Sequence, residues 1–295
     1  MAHTNLTPHQ TPGASVEEIS PGTEYHLMIP AGRADKYRLA QLDDYTQLAR
    51  GRFPLRFPPS TSLRTGLNLS LSARASSDSI PGTWGFGLWN DPFGFSLGFG
   101  GNPFRLPALP NAVWFFGASK DSYLSFRDAH ASPTGFDAFA SQPSAQREAA
   151  NGFLAQTFRS PKFHPLLILA GLALPFSRGM TRRILGRVID EDGVQLWSST
   201  ARRRDLQEQA PALHSQSVDP TQWHRYRLDW REERVSLEVD NVQVLESQVF
   251  PNPPLGLVIW IDNQYAAFTP EGKIGFGVLE NPEPAWLEIK DLELR

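Results

Sequence analysis

The chain has 295 residues, 40% of them hydrophobic, with 25 Pro, 23 Gly and a formal net charge of −3. That length holds one large domain or two small ones, with apolar residues enough for a substantial core. The near-neutral charge excludes a global attraction to nucleic acid, and the lack of cysteine excludes disulfides, thiolate metal sites and cysteine nucleophiles.

Residues 1–22 are polar and Pro-rich, without a basic stretch leading into an apolar one. Their composition predicts a disordered tail and no secretion signal. Residues 23–295 are expected to form one domain. Its first strands fall within 23–74, most clearly at Leu67–Arg74, where Leu67, Leu69, Leu71 and Ala73 alternate with Asn68, Ser70, Ser72 and Arg74. Thr83–Asp91 reads as a strand with aromatics on both faces and glycines between them, ended by Asp91-Pro92. Phe93–Pro110 reads as a long loop. Ala112–Ala118 is another aromatic strand, with Ser122–Arg127 expected beside it.

From 129 to 160 the alternation is lost. An apolar run, Pro165–Phe176, then precedes Arg178, Arg182, Arg183 and Arg187 at near-helical spacing. This pattern predicts a helical insertion over 143–195. Strand alternation returns at Arg225–Trp230 and Val235–Asp240, and Asp240-Asn241 is expected to turn a hairpin into Val242–Val244. Further strands are predicted at Leu257–Tyr265 and Trp286–Leu294. Together these elements describe an all-β antiparallel sandwich with a helical insertion.

The run Trp223-His224-Arg225-Tyr226-Arg227-Leu228-Asp229-Trp230, with the hairpin that follows, resembles glycoside hydrolase family 16 and related concanavalin A-like lectin domains. Gly82–Asp91 resembles that family's Gly- and Trp-rich strand. The resemblance covers residues 60–118 and 222–295 and implies a jelly-roll sandwich with a concave ligand face. It also brings calcium into view, although no dense acidic loop asks for it; no other cofactor is expected. The family's E-x-D-x-E strand, whose alternating carboxylates supply nucleophile and acid, is missing. Ala112–Ala118 carries Trp114, Phe115 and Phe116 instead, so the resemblance does not extend to that retaining mechanism.

Two W-x-D patterns, Trp89-Asn90-Asp91 and Trp260-Ile261-Asp262, each place an aromatic and a carboxylate on one side of a strand. If they share a groove, Trp89 and Trp260 can stack on sugar faces, Trp114 and Phe116 can extend the aromatic lining, and Asn90, Asn263, Gln264 and Tyr265 can orient hydroxyls. Three readings stay open. The first is a lectin-like protein that binds a glycan or similar extended ligand. The second is a glycosidase-like enzyme using Asp91 and Asp262 as acid and base. In the third, a membrane surface or protein partner is met by the 161–189 insertion through Leu166, Leu167, Leu169, Leu172, Phe176, Arg178, Arg182 and Arg183, and the groove suits an apolar small molecule. The expected location is cytoplasmic, at a membrane surface in the third case. The seven His show no zinc-type spacing, and no P-loop or nucleophile elbow occurs.

Overall fold

A computed structural model describes residues 6–44, 66–90, 109–124, 152–161, 188–197, 218–268 and 274–295. In chain order the strands are β1 (Thr7–Gln10), β2 (Ser15–Ser20), β3 (Glu24–Ile29), β4 (Leu39–Asp43), β5 (Leu67–Ala75), β6 (Thr83–Trp89), β7 (Ala112–Ala118), β8 (Tyr123–Leu124), β9 (Gly152–Arg159), β10 (Asp190–Trp197), β11 (His224–Trp230), β12 (Val235–Val239), β13 (Val242–Ser247), β14 (Gly256–Asp262), β15 (Gln264–Phe268), β16 (Ile274–Val278) and β17 (Ala285–Leu294). Two seven-stranded sheets result, sheet I in the order β1-β4-β14-β6-β7-β9-β10 and sheet II in the order β13-β12-β11-β5-β17-β3-β2. Every pairing within them is antiparallel. A small sheet, β16-β15-β8, lies apart from them.

The sheets meet face to face through the alternate residues of each strand. Leu67, Leu69, Leu71 and Ala73 of β5 and Tyr226, Leu228 and Trp230 of β11 share one core cluster with Phe86 of β6, Phe115 of β7 and Phe153 of β9. Tyr226 from sheet II reaches into the three phenylalanines of sheet I, with ring centroids 5.0, 4.9 and 5.9 Å away. Edge-on ring contacts of this kind add to area burial. Trp230 is fully buried, and its indole N–H donates to the Pro251 carbonyl at 3.2 Å.

Asp240 and Asn241 turn the β12–β13 hairpin with φ of 50° and 64°. Two successive positive φ values match the right-handed twist of the flanking strands, and Asp and Asn tolerate them. The Asp240 carboxylate also accepts from the Arg225 N–H at 2.9 Å and pairs with His224 Nδ1 at 2.6 Å.

The structure corrects several expectations. Residues 7–20 of the expected N-terminal tail form β1 and β2, which are edge strands of sheets I and II. An edge strand tolerates polar residues and Pro8, because only one side of it must pair. The expected helical stretch 143–195 contains β9 and β10, paired in register from Asp190↔Arg159 to Trp197↔Phe153. β9 shows no alternation because it is buried on both faces, Phe153 and Ala155 inward and Leu154 and Phe158 outward. Residues 162–187, with the apolar run and its arginines, lie outside the described residues. Tyr123–Leu124 does not pair beside β7 but runs parallel to β15 in the small sheet. The strand expected at 257–265 breaks at Asn263 into β14 and β15.

Trp230→Ala should cost about 3–5 kcal/mol, the range for truncating a fully buried aromatic. The shift of the urea unfolding midpoint at constant m-value measures it.

Candidate functional site

The outward face of sheet I carries a second set of aromatics. Register places Trp260, Gly85, Phe116 and Leu154 in one row across β14, β6, β7 and β9. Val258, Gly87, Trp114 and Gln156 form the next row, and Gly256, Trp89, Ala112 and Phe158 the third. Gly85 and Gly87 leave the middle of β6 bare. A Cβ on Gly85 would lie 2.3 Å from the Phe115 carbonyl oxygen and 3.0 Å from the Trp260 ring, and one on Gly87 2.4 Å from the Val113 carbonyl oxygen. Rings from β14 and β7, two strands apart, therefore close over β6. Trp260 comes within 5.7 Å of both Trp114 and Phe116. Trp114 also stacks on Phe116 at 5.2 Å and meets Trp89 and Phe158 edge-on at 5.5 and 5.9 Å. The expected grouping of Trp89, Trp114, Phe116 and Trp260 is thus present, and Phe158, which sequence reasoning passed over, completes it.

Burial divides these residues. Trp260 is 8% exposed, and its indole N–H donates to Thr83 Oγ1 at 3.0 Å. Its ring is thus a wall of the cluster rather than an open stacking platform. Trp114 is buried more deeply still, at 6% exposed, whereas Trp89 remains partly exposed. The indole nitrogens of Trp89 and Trp114 are buried and have no hydrogen-bond acceptor among the described residues. A buried donor without a partner costs roughly 1–3 kcal/mol.

Asp262 closes one end of the face. Its Oδ1 accepts from Thr83 N–H at 3.0 Å, Thr83 O–H at 2.9 Å and Gln264 N–H at 3.1 Å, and its Oδ2 accepts from Tyr37 O–H at 3.3 Å. Burial outweighs these four donors and pushes the carboxyl up to about 6. Asn263 is fully buried. Its Oδ1 accepts from Arg38 N–H at 2.8 Å, and its Nδ2 donates to the Lys36 and Leu279 carbonyls. It clamps the 30s loop instead of presenting an amide to a ligand. Asn90 clamps the other end, donating to Leu109 O at 2.9 Å and accepting from Asn111 N–H at 3.0 Å. Gln264 and Tyr265 are partly exposed on β15, a strand of the small sheet. Asp91, the proposed partner of Asp262, lies outside the described residues, as do the expected contact residues from Leu166 to Arg183.

A polar group absent from the sequence reading flanks the face on β4 and β1. Asp43, fully buried, accepts from Gln41 Nε2 at 2.7 Å and pairs with His9 Nε2 at 3.3 Å. The bond to Asp43 raises the His9 pKa although burial opposes it. His9 sits in a four-residue edge strand, too short to signal its partner. The adjacent Asp44 accepts from Leu257 N–H at 2.7 Å, and burial pushes it up to about 7. Among the described residues no group of three or more His, Asp or Glu is placed to hold a metal ion, and no helix is long and apolar enough to cross a membrane.

No family model and no curated protein matches the chain. Solved structures do align with it, and family-16 glucanases, the family that the Trp223–Trp230 motif resembles, are among them. A glycoside hydrolase family 16 endo-glucanase from Bacteroides ovatus aligns at 10% identity and TM-score 0.44, covering 100% of this chain and 96% of its own. A β-glucanase from Bacillus licheniformis aligns at 11% identity and TM-score 0.44, covering 98% and 91%. The catalytic domain of an endo-1,3-β-glucanase (laminarinase) from Thermotoga petrophila aligns at 13% identity and TM-score 0.39, covering 97% and 79%.

The raised Asp262 pKa has a defined consequence for stability. Between the ordinary value of 3.8 and about 6 the folded state holds a proton that the unfolded state releases. Stability from this group is therefore complete below the unfolded value and falls as pH rises through the folded one. Asp262→Asn removes this dependence. Relative to the unaltered protein, the variant should gain roughly 1–3 kcal/mol between about pH 4 and about pH 7. Urea midpoints across that range measure the gain, and a constant difference would refute the burial account.

Proposed function

We propose that the outward face of sheet I binds a glycan or a similar extended, hydroxylated ligand, with the partly exposed Trp89 as the ring it meets first and the deeper Trp114 as a donor behind it. The observation that carries this reading is the pair of buried indole N–H groups without acceptors in an aromatic wall. A ligand that fits must offer apolar C–H faces to the rings and oxygen acceptors to the N–H groups, and sugar rings offer both. A purely apolar lipid or pigment would fill the face yet leave both donors unmet.

Binding is favoured over acid–base chemistry at Asp262. Both of its oxygens already accept hydrogen bonds from fixed neighbours, one of them from three donors. A general acid needs a free approach to the leaving oxygen. The membrane or partner reading rests on residues 161–189, nearly all outside the described segments, and nothing in the described ones favours it.

Trp114→Phe keeps a ring in the wall and deletes one N–H. Titration with neutral gluco-oligosaccharides, followed by tryptophan fluorescence, should show saturable binding by the unaltered protein. The variant should bind about tenfold more weakly, the worth of one buried hydrogen bond. No binding of any neutral oligosaccharide, or equal binding by the variant, would sink this reading.

A further inference from the structure

The opposite surface of the sandwich, the outward face of sheet II, carries a second aromatic assembly. In β5, β17 and β3, Arg74, Glu288 and His26 lie in one row. Continuing the β11–β5 register, His224↔Ala73, by one residue sets Trp223 beside Arg74. Trp286, paired with Met28, and Lys290, paired with Ser72, stand two residues to either side of Glu288 on β17, on the same face.

The contacts follow this grid. The Arg74 guanidinium lies 4.9 Å from the Trp223 ring centre and 5.4 Å from that of Trp286. The Lys290 ammonium lies 4.2 Å from the Trp223 ring centre. His26 flanks Trp286 at 5.9 Å. Arg74 and Lys290 rise from adjacent strands and both contact the Trp223 ring, and Trp223 is 36% exposed.

Charge is unevenly matched here. Arg74 is bonded to Glu288 at 2.5 Å, but Lys290 has no carboxylate partner among the described residues. Elsewhere on sheet II, Arg227 pairs with Glu238, Arg231 with Asp229 and Arg234 with Glu246, while the Arg225 side chain, across Ser72 from Lys290, also lacks a carboxylate partner among the described residues. The patch therefore sets unneutralised positive charge beside two indoles.

We infer that the Trp223–Arg74–Trp286–Lys290 surface is a second binding site, for a polysaccharide that carries carboxylate or sulfate groups. The open indole faces suit the C–H faces of sugar rings, and Lys290 suits an anion on the chain. The rim favours a sparsely charged partner. Glu17 and Asp291 are exposed on the strands around the patch and repel a polymer charged at every unit, such as a nucleic acid. The site shares no residue with the outward face of sheet I and stands whether or not that face binds a neutral glycan.

Affinity electrophoresis of the full chain tests it, in gels holding dextran, sparsely sulfated dextran or sparsely carboxymethylated dextran. The unaltered protein should be retarded by at least one anionic polymer and the choice between sulfate and carboxylate polymers names the anion. Trp223→Ala and Lys290→Gln should each weaken that retardation about tenfold, while Trp114→Phe should leave it unchanged. Lys290→Gln removes only an exposed charge, so it keeps the test open should Trp223→Ala fail to fold. No retardation by either anionic polymer overturns the proposal. So does retardation that survives both substitutions, or that is lost with Trp114→Phe. Retardation by dextran that depends on Trp114 alone belongs to the face of sheet I and overturns the site on sheet II if the anionic gels show nothing more.

Discussion

Sheet I has apolar side chains on both faces, and much of the molecule follows from that constraint. Along β6, β7, β9 and β14 the inward residues, among them Phe86, Phe115, Phe153 and Ile259, meet sheet II. The outward residues Trp114, Phe116, Leu154, Phe158, Val258 and Trp260 form a separate cluster. Layers so densely aromatic cannot close over a central strand that bears side chains of its own. The bare positions Gly85 and Gly87 resolve the conflict by letting Trp260 reach Trp114 and Phe116 across β6. The cost of glycine in a strand, lost side-chain packing and added chain entropy, is offset by the ring contacts it permits.

The ends of this aromatic layer are closed by polar groups that act as fasteners. Thr83 accepts from the Trp260 indole and donates to Asp262, which in turn gathers Tyr37 and the Gln264 backbone. One carboxylate thereby joins β6, β14, β15 and the 30s loop. His9, Gln41 and Asp43 do similar work on the β1 and β4 side. Buried carboxylates held this way are conditionally stable, because desolvation works against the charged form even when hydrogen bonds are complete. The Trp89 and Trp114 N–H groups are left out of these networks, as is Oε1 of Gln156, the residue paired with Trp114.

The two outward faces are chemically unlike. Sheet I presents buried rings with few polar atoms, whereas sheet II presents a charged lattice in which cation and anion alternate across neighbouring strands. Such exposed pairs contribute little to stability each. The arginine–tryptophan contacts near Trp223 and Trp286 add a directional element, since they fix the orientation of rings that would otherwise be mobile on an open surface.

Local sequence determined the elements whose two faces differ. Leu67–Arg74, Arg225–Trp230 and Val235–Val239 alternate because one side meets the core and the other meets water, and Asp240-Asn241 announces its turn because few residues accept positive φ. Side-chain parity also placed Trp114 and Phe116 on one face of a strand, whereas strand order and register decided that Trp89 and Trp260 share it. Local sequence misled where burial is two-sided or one-edged. β9 loses its alternation when both faces are covered, and β1 and β2 need almost none at the sheet edges. Only the tertiary structure decided what each side chain was left free to do. Asp262 and Asn263 read as ligand groups along the chain, yet Thr83 and Tyr37 engage the carboxylate of one, and Arg38, Lys36 and Leu279 the amide of the other. Hydrogen-bond satisfaction is a property of neighbours in space, and no spacing within a strand encodes it.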